Sequence, residues 1–467
     1  MTRTRVAAGA ADAVAAGLAR IRDEQDVPGP FPAEVLAEAE RAVAAVVDVL
    51  AARPDRTAIP FVTLDPASST DLDQAFALER SGDDIVLHYA IADLSAFVEP
   101  GGAIEQEAWR RGVTIYLPDG KANLHPPVLA EDVASLLPDG RRPAVLLTVA
   151  VAPDGTPALR SAEKVCVRST AKLAYEDVDL ARNPLLVELA ARVREAEDRR
   201  GASRVDFPEQ EVVTDPERPG AYRLRLRPRL PAEDANAALS LSANLAVAAA
   251  LLEAHTGLFR VMDEPDERDV RALRHTAHAL SLRWPDDVDL AAFQRSLDTK
   301  DPAAAAFLIA VRRAGGGASY EPYREGRVPW HAAVAATYAH ATAPLRRLAD
   351  RYVLDAVVAV SAGDPVPDHV LRVTPELPEA MRRADTRASK VDRAVIDLLE
   401  AVALHGREGE EFDATVVAVE GRHAQVQLDD VAVVARVDRT GWEPGEAVRL
   451  RLLGADPARR QVEFAPA

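Results

Sequence analysis

The spacing of apolar positions changes character several times along the 467-residue chain, and each change marks a predicted element. Residues 1–53 are alanine-rich with apolar positions at helical spacing, and Pro28, Pro30 and Pro32 divide them into two short helices, the second over about 34–52. From Thr57 the pattern turns β-branched: 58–64 and 85–91 read as strands, as do 144–152, 163–168 and 222–226. Helical periodicity returns over 236–255, 268–282, 302–314, 334–341, 345–360 and 378–404. Strands dominate the front and helices the back, which predicts an α+β fold with a mixed sheet and surrounding helices rather than a regular alternation.

Beyond His405-Gly406 five short strands are expected at 412–417, 424–428, 431–437, 447–453 and 461–464, the size of a small OB-type β-barrel. The chain therefore divides into a helical N-terminal segment at 1–53, an α+β domain at 54–404 and a C-terminal β-barrel at 405–467. No internal repeat or low-complexity tail interrupts this plan.

Composition narrows the class. With 48% hydrophobic and 28% charged residues the chain is an ordinary globular one. The net charge of −18 argues against a protein that coats nucleic acid over its whole surface, but leaves room for a local basic channel. The only lysines among the 56 basic residues are Lys121, Lys164, Lys172, Lys300 and Lys390, so arginine, the better bidentate phosphate donor, carries the rest. A single cysteine, Cys166, excludes an intramolecular disulfide and a paired-cysteine zinc site, and suits a reducing compartment. Arg3 and Arg5 precede an apolar run that Asp12 interrupts, so no export signal is expected. The apolar window 237–254 contains Ser240, Ser242 and Asn244 and reads as a buried helix. A cytoplasmic protein without a membrane span is the expectation.

The densest chemistry is the run Thr63-Leu64-Asp65-Pro66-Ala67-Ser68-Ser69-Thr70-Asp71-Leu72-Asp73-Gln74. Asp65 ends a strand and a small-residue turn follows; Asp71 and Asp73, two apart, project to one face if extended. Three carboxylates then converge. Such a set suits a hard divalent cation whose shell is completed by phosphate, or else forms a solvated turn with Asx caps.

At this point the sequence resembles the RNase II/RNase R family of RNB-domain 3′-to-5′ exoribonucleases. The acidic block resembles the family's D-x5-D-x-D-D through Asp65, Asp71 and Asp73, with Gln74 in the last place. Ile91-Ala92-Asp93-Leu94-Ser95-Ala96-Phe97-Val98 is similar to I-A-D-V-S-x-F-V, and Arg110-Arg111-Gly112-Val113-Thr114-Ile115-Tyr116-Leu117-Pro118 to R-R-G-x-S-x-Y-L-P. Ser169-Thr170-Ala171-Lys172-Leu173-Ala174-Tyr175 and Thr342-Ala343-Pro344-Leu345-Arg346-Arg347-Leu348-Ala349-Asp350 match two further blocks, in the family's order. The segment before residue 54 is too short for the family's N-terminal cold-shock domains.

The resemblance implies magnesium-dependent hydrolysis of single-stranded RNA from its 3′ end to 5′-mononucleotides, with manganese as an alternative ion. It makes Asp65, Asp71, Asp73 and Arg346 the catalytic residues, with Asp73 the most sensitive. Asp65, Asp71, Asp73 and Gln74 are the expected metal ligands. Tyr116 and Tyr175 are expected to stack on bases and Arg347 to bind backbone phosphate. For either arginine, pairing with Asp350 or another nearby carboxylate is the structural alternative. Arg346 is expected at the start of the 345–360 helix. His340 is read as a packed or capping residue, the alternating Arg223, Arg225 and Arg227 as an RNA-facing or solvated strand, and Gly315-Gly316-Gly317 as a connection. Ala237-Ala238-Leu239-Ser240 stands where the family has two glutamates. Two other readings stay open: a catalytically weakened RNA-binding relative, and an exonuclease restricted to short oligonucleotides.

Overall fold

The structure, a computed structural model, describes residues 10–138, 140–203, 209–214, 222–227, 229–297, 302–314, 317–420, 423–429, 431, 433–438, 441–443 and 445–467. Helices α1 (Ala10–Glu24) and α2 (Ala33–Ala51) come first. They are followed by β1 (Phe61–Asp65), β2 (Gln74–Ser81), β3 (Asp84–Ala92), α3 (Ala103–Arg111), the hairpin β4 (Ile115–Leu117) and β5 (Gly120–Ala122), then β6 (Arg141–Val151) and β7 (Pro157–Ala174). Strands β1, β2, β3, β6 and β7 close into a barrel, with β1 and β7 parallel and the other pairs antiparallel.

Both faces of these strands are buried, which explains their nearly continuous apolar runs. Leu87, Tyr89, Ile91, Leu147 and Val149 belong to one core, whereas Ala90, Ala92, Leu146, Val165 and Phe61 belong to a second that includes Val35 and Ala39 of α2. The expected strand at 163–168 is a short piece of β7, and β2 was not anticipated because its apolar run starts inside the acidic block.

After the barrel come α4 (Pro184–Arg200), the hairpin β8 (Glu209–Thr214) and β9 (Tyr222–Arg227), α5 (Pro231–Glu253), β10 (Leu258–Met262), α6 (Glu267–Ala279), α7 (Leu290–Ser296), α8 (Pro302–Ala314) and β11 (Ala318–Pro322). Helices α9 (Leu348–Ala362), α10 (Asp368–Val373) and α11 (Leu377–Leu404) complete this part. By length and composition α5 could cross a membrane, but it packs among α4, α9 and β7, with Leu239, Ala243, Val247 and Leu251 fully covered. An all-round apolar helix is what such a central position requires. Helix α1 lies against α11 at Gly17, where a Cβ would stand 2.5 Å from Leu398 Cδ2, so a larger residue would require the Leu398 side chain to shift.

The expected helix at 334–341 is absent. Its alanine-rich sequence favours a helix, but Met262 N donates to the Trp330 carbonyl and Arg260 N to that of Tyr338, and Ala335 adopts φ +52°. Tertiary pairing with β10 overrides local propensity here. The next helix likewise begins at Leu348 rather than 345, which leaves Arg346 in the turn before it.

The last five strands, β12 (Glu411–Glu420), β13 (His423–Leu428), β14 (Val434–Asp438), β15 (Ala447–Asp456) and β16 (Gln461–Pro466), are ordered 14-13-12-15-16. The outer strands β14 and β16 lie against each other, as in an OB-type barrel, around Phe412, Val416, Val426, Leu450 and Phe464. Gly315, Gly316 and the side chains of β9, including the three alternating arginines, lie outside the described residues.

Candidate active site

Parallel pairing of β1 with β7 sets Asp65 opposite Ala174, and Tyr175 N donates to the Asp65 carbonyl at 3.3 Å. This register brings the first acid and the second tyrosine of the sequence motifs together. In the following turn Leu72 points into the core, fully buried, while its neighbours Asp71 and Asp73 both act electrostatically on Tyr116. Two of the five lysines hold the turn. Lys172 Nζ donates to the Ala67 and Ser69 carbonyls at 2.7 and 2.6 Å, and Lys121 Nζ to Asp71 Oδ1 at 2.8 Å. The rarity of lysine in the sequence was the signal that could have found them.

The opposite wall is the segment Ala341–Arg347, irregular yet tethered at most of its residues. Ala341 N donates to Asn244 Oδ1 at 2.9 Å, and Thr342 Oγ1 meets Ser240 Oγ at 2.9 Å. Ala343 N donates to Asp350 Oδ2 at 2.8 Å and Leu345 N to Asp73 Oδ1 at 2.7 Å. Thr114 N donates to the Arg346 carbonyl at 3.1 Å. Asn244 and Ser240, polar residues on a largely apolar helix, thus work from α5, a role that sequence reasoning did not assign to them.

These tethers fix Arg346. Its Nε donates to Asp73 Oδ2 at 3.2 Å, while its side chain remains 42% exposed against 6% for Asp73. Its two terminal nitrogens carry no protein hydrogen-bond partner among the described residues. A partly exposed guanidinium anchored through Nε keeps both Nη groups available for bidentate contact with a phosphate.

Arg347, expected to bind phosphate, forms instead a fork to the fully buried Asp350, with Nε and Nη2 at 3.0 and 2.8 Å. Burial works against its charge, and the Asp350 carboxylate more than offsets this. The pair holds the loop that carries Arg346. Asp93 and Arg111, from two other motif blocks, are also framework: Asp93 accepts from Arg53 and Ser95, and Arg111 reaches Glu107 and the carbonyls of Asn123 and Gly29. His340 is half-buried, its Nδ1 2.8 Å from the Tyr320 hydroxyl.

Tyr116 exposes 49% of its surface, and its hydroxyl donates to Asp71 Oδ2 at 2.8 Å. Tyr175 is half-buried and accepts a hydrogen bond from Asn236 Nδ2 at 2.7 Å. Burial pushes the Asp73 carboxyl up to about 7, opposed by Arg346 and the Leu345 amide. Burial likewise raises Asp65 to about 6, opposed by Arg346 and reinforced by Asp71. The pocket thus holds carboxylates that its own cations do not fully compensate.

Among the described residues no three histidine, cysteine, aspartate or glutamate side chains form a group able to hold a metal ion by themselves. Asp65 and Asp71, however, are close enough to interact, and both offer hard oxygen donors, although Asp71 would have to share its oxygens with Lys121 Nζ and the Tyr116 hydroxyl. Magnesium is commonly held by one or two carboxylates plus substrate phosphates and water, so this pair fits an ion shared with a bound phosphodiester. Asp73 is committed to Leu345 and Arg346. Gln74 is committed as well: its Oε1 accepts from the Tyr89 hydroxyl and its Nε2 donates to the Thr342 carbonyl.

Paired acids, an arginine anchored at Nε and an exposed tyrosine thus gather at the end of β1, in a chain that closes with an OB-type barrel. The RNB domain model matches residues 53–362, and the RNase II-type exonuclease C-terminal S1 domain model matches 410–467. The chain belongs to the RNB family of RNase II and RNase R. Ribonuclease R of Aquifex aeolicus is 25% identical over 94% of this chain and 68% of its own length. RNase R of Mycoplasma genitalium, solved with ribose-methylated single-stranded RNA, superposes with a TM-score of 0.85 at 19% identity, covering 98% of this chain and 78% of that one. Yeast Ssd1, a pseudonuclease, matches with a TM-score of 0.66 at 15% identity over 84% of this chain and 51% of its own.

Proposed function

We propose that the chain is a magnesium-dependent 3′-to-5′ exoribonuclease that hydrolyses single-stranded RNA to 5′-mononucleotides. The observation that carries this reading is Arg346, anchored through Nε to the buried Asp73, partly exposed, and with no hydrogen-bond partner for its terminal nitrogens among the described residues. Arg347, by contrast, spends Nη2 on Asp350, and Arg111 spends both terminal nitrogens on the Asn123 and Gly29 carbonyls. The RNA-bound state of the Mycoplasma genitalium relative supports RNA as the substrate.

In this reading Asp65 and Asp71 hold the cation, magnesium or alternatively manganese. When bound, such an ion lowers the pKa of water and stabilises charge on phosphoryl oxygens. Asp73 orients Arg346, whose guanidinium receives a phosphoryl oxygen as negative charge builds. Tyr116 presents an exposed ring beside Asp71, and Tyr175 lies beside Asp65; both serve as sequence-tolerant stacking surfaces for the terminal bases. Arg347 and Asp350 keep the arginine loop in register.

A second reading, an RNA-binding relative without turnover, is favoured by Gln74, which stands in the acidic block without a charge. Digestion of 5′-labelled single-stranded RNA, with a DNA control, separates the two. The parent should shorten RNA from the 3′ end in magnesium and not in EDTA, releasing mononucleotides, and Asp73→Asn should not. RNA binding without shortening across magnesium and manganese titrations would establish the second reading.

A further inference from the structure

We propose that Gln74 is a positioning residue that ties the start of β2, just after the acidic turn, to the arginine loop, and that it does not ligate the cation. Gln74 opens β2 opposite Ile91 of β3, and Tyr89 lies two residues away, opposite Phe76. The two side chains are diagonal neighbours on one face of an antiparallel pair. Tyr89 is fully buried, so its hydroxyl requires a partner, and it donates to Gln74 Oε1 at 2.6 Å. On its other side Gln74 Nε2 donates to the Thr342 carbonyl at 2.5 Å.

A backbone carbonyl can only accept, so this contact fixes the orientation of the amide and turns its oxygen toward the phenol. Thr342 is itself buried, and its hydroxyl meets Ser240 and Asn244 of α5. Four residues further along, Arg346 returns to Asp73, the neighbour of Gln74 in sequence. The Thr342–Arg346 segment is therefore pinned to two consecutive residues, Asp73 at the end of the acidic turn and Gln74 at the start of β2. An ionised carboxylate at position 74 accepts from Tyr89 but cannot donate to Thr342. Aspartate is in addition one methylene too short. The uncharged residue in the acidic block thus supplies a donor that a fourth acid lacks.

The inference rests on the exonuclease reading only for its effect on turnover, and its first test does not use activity. Amide hydrogen exchange is followed in the metal-free full-length chain for the parent, Gln74→Glu, Gln74→Ala and Tyr89→Phe. Loss of the tether should speed exchange in peptides spanning residues 341–347 about tenfold in both Gln74 variants, with a smaller change in Tyr89→Phe. Saturating magnesium should not restore protection. Calorimetric titration with magnesium alone should give Gln74→Glu no tighter site than the parent.

In turnover, Gln74→Glu should lower kcat by about tenfold or more with KM for RNA within a few-fold. Parental exchange rates in both Gln74 variants would overturn the proposal. So would an ion affinity at least tenfold higher in Gln74→Glu, because an added carboxylate ligand strengthens a true cation site. An inactive parent protein would sink the exonuclease reading and leave the exchange experiment to decide the role of Gln74.

Discussion

Arg346→Ala is the perturbation that bears most directly on the proposed chemistry. The substitution removes a guanidinium whose only side-chain hydrogen bond among the described residues is Nε to Asp73 Oδ2, and it leaves Asp73 still bonded to the Leu345 amide. The loop keeps its tethers at Asn244, Asp350 and Thr114, so the frame of the site should survive. The ion pair contributes little to stability, because Arg346 is 42% exposed and solvent screens it. The larger effect falls on the reaction: a preorganised donor to charge that develops in the transition state is worth roughly 10²–10³-fold in rate, about 3–4 kcal/mol. Arg346→Lys keeps the charge but cannot anchor through Nε and fork to phosphate together, so it should recover no more than about tenfold. The assay is single-turnover cleavage of 5′-labelled RNA in saturating magnesium, paired with equilibrium RNA binding in EDTA. A rate loss near 10²-fold with affinity within a few-fold supports the assignment. A matching loss of affinity with an unchanged single-turnover rate would refute it and make Arg346 a phosphate anchor.

Asp73→Asn should abolish turnover while RNA affinity stays within a few-fold, measured by filter binding; equal loss of both would remove its catalytic role. Asp350→Asn should destabilise the protein by about 3 kcal/mol, because it strips the counter-charge from the buried Arg347 fork, and denaturant titration of the variant reads this directly. An unchanged midpoint would contradict the tethering of the arginine loop. Magnesium should bind at least about tenfold tighter in the presence of a non-cleavable RNA than to the protein alone, since Asp65 and Asp71 leave most of the shell to phosphate and water; equal affinities by calorimetry would count against a shared ion. Burial, reinforced by neighbouring arginines, holds His125 down to about 3 and His331 to about 4. Both are therefore neutral when folded but take up protons when unfolded below about 6.5. Their contribution to stability is complete above that pH and declines as pH falls toward 4, so the thermal midpoint should drop over this window, and His125→Gln should flatten the drop.

Much of the frame was legible because its elements carry strong local signals. The periodicity of 378–404 corresponds to α11, and five short β-branched runs correspond to the C-terminal strands. The closed barrel in the first half was not legible, because closure depends on the parallel pairing of β1 with β7, strands that begin about a hundred residues apart. Likewise the alanine-rich 334–341 segment carries a helical composition that pairing with β10 overrules. Local propensity contains no information about that partner.

The candidate site divides along the same line. Motif and spacing make Asp65, Asp71 and Tyr116 candidates, and each stands on the segment that its own sequence neighbourhood builds. Arg346 and Arg347 are adjacent and chemically identical, yet one points outward from Asp73 and the other forks to Asp350. What separates them is the conformation of an irregular turn set by Asn244, Gln74 and Asp73, which belong to two distant elements. A helix beginning at 345 would have relied on its N-terminus to attract phosphate. The observed turn holds Arg346 by hydrogen bonds to its backbone and to its own Nε, which limits how far the guanidinium must reorganise when charge appears on a phosphoryl oxygen. Rate enhancement by a fixed dipole or charge depends on that prior orientation, so the residues that tether the turn bear on turnover as directly as the arginine itself.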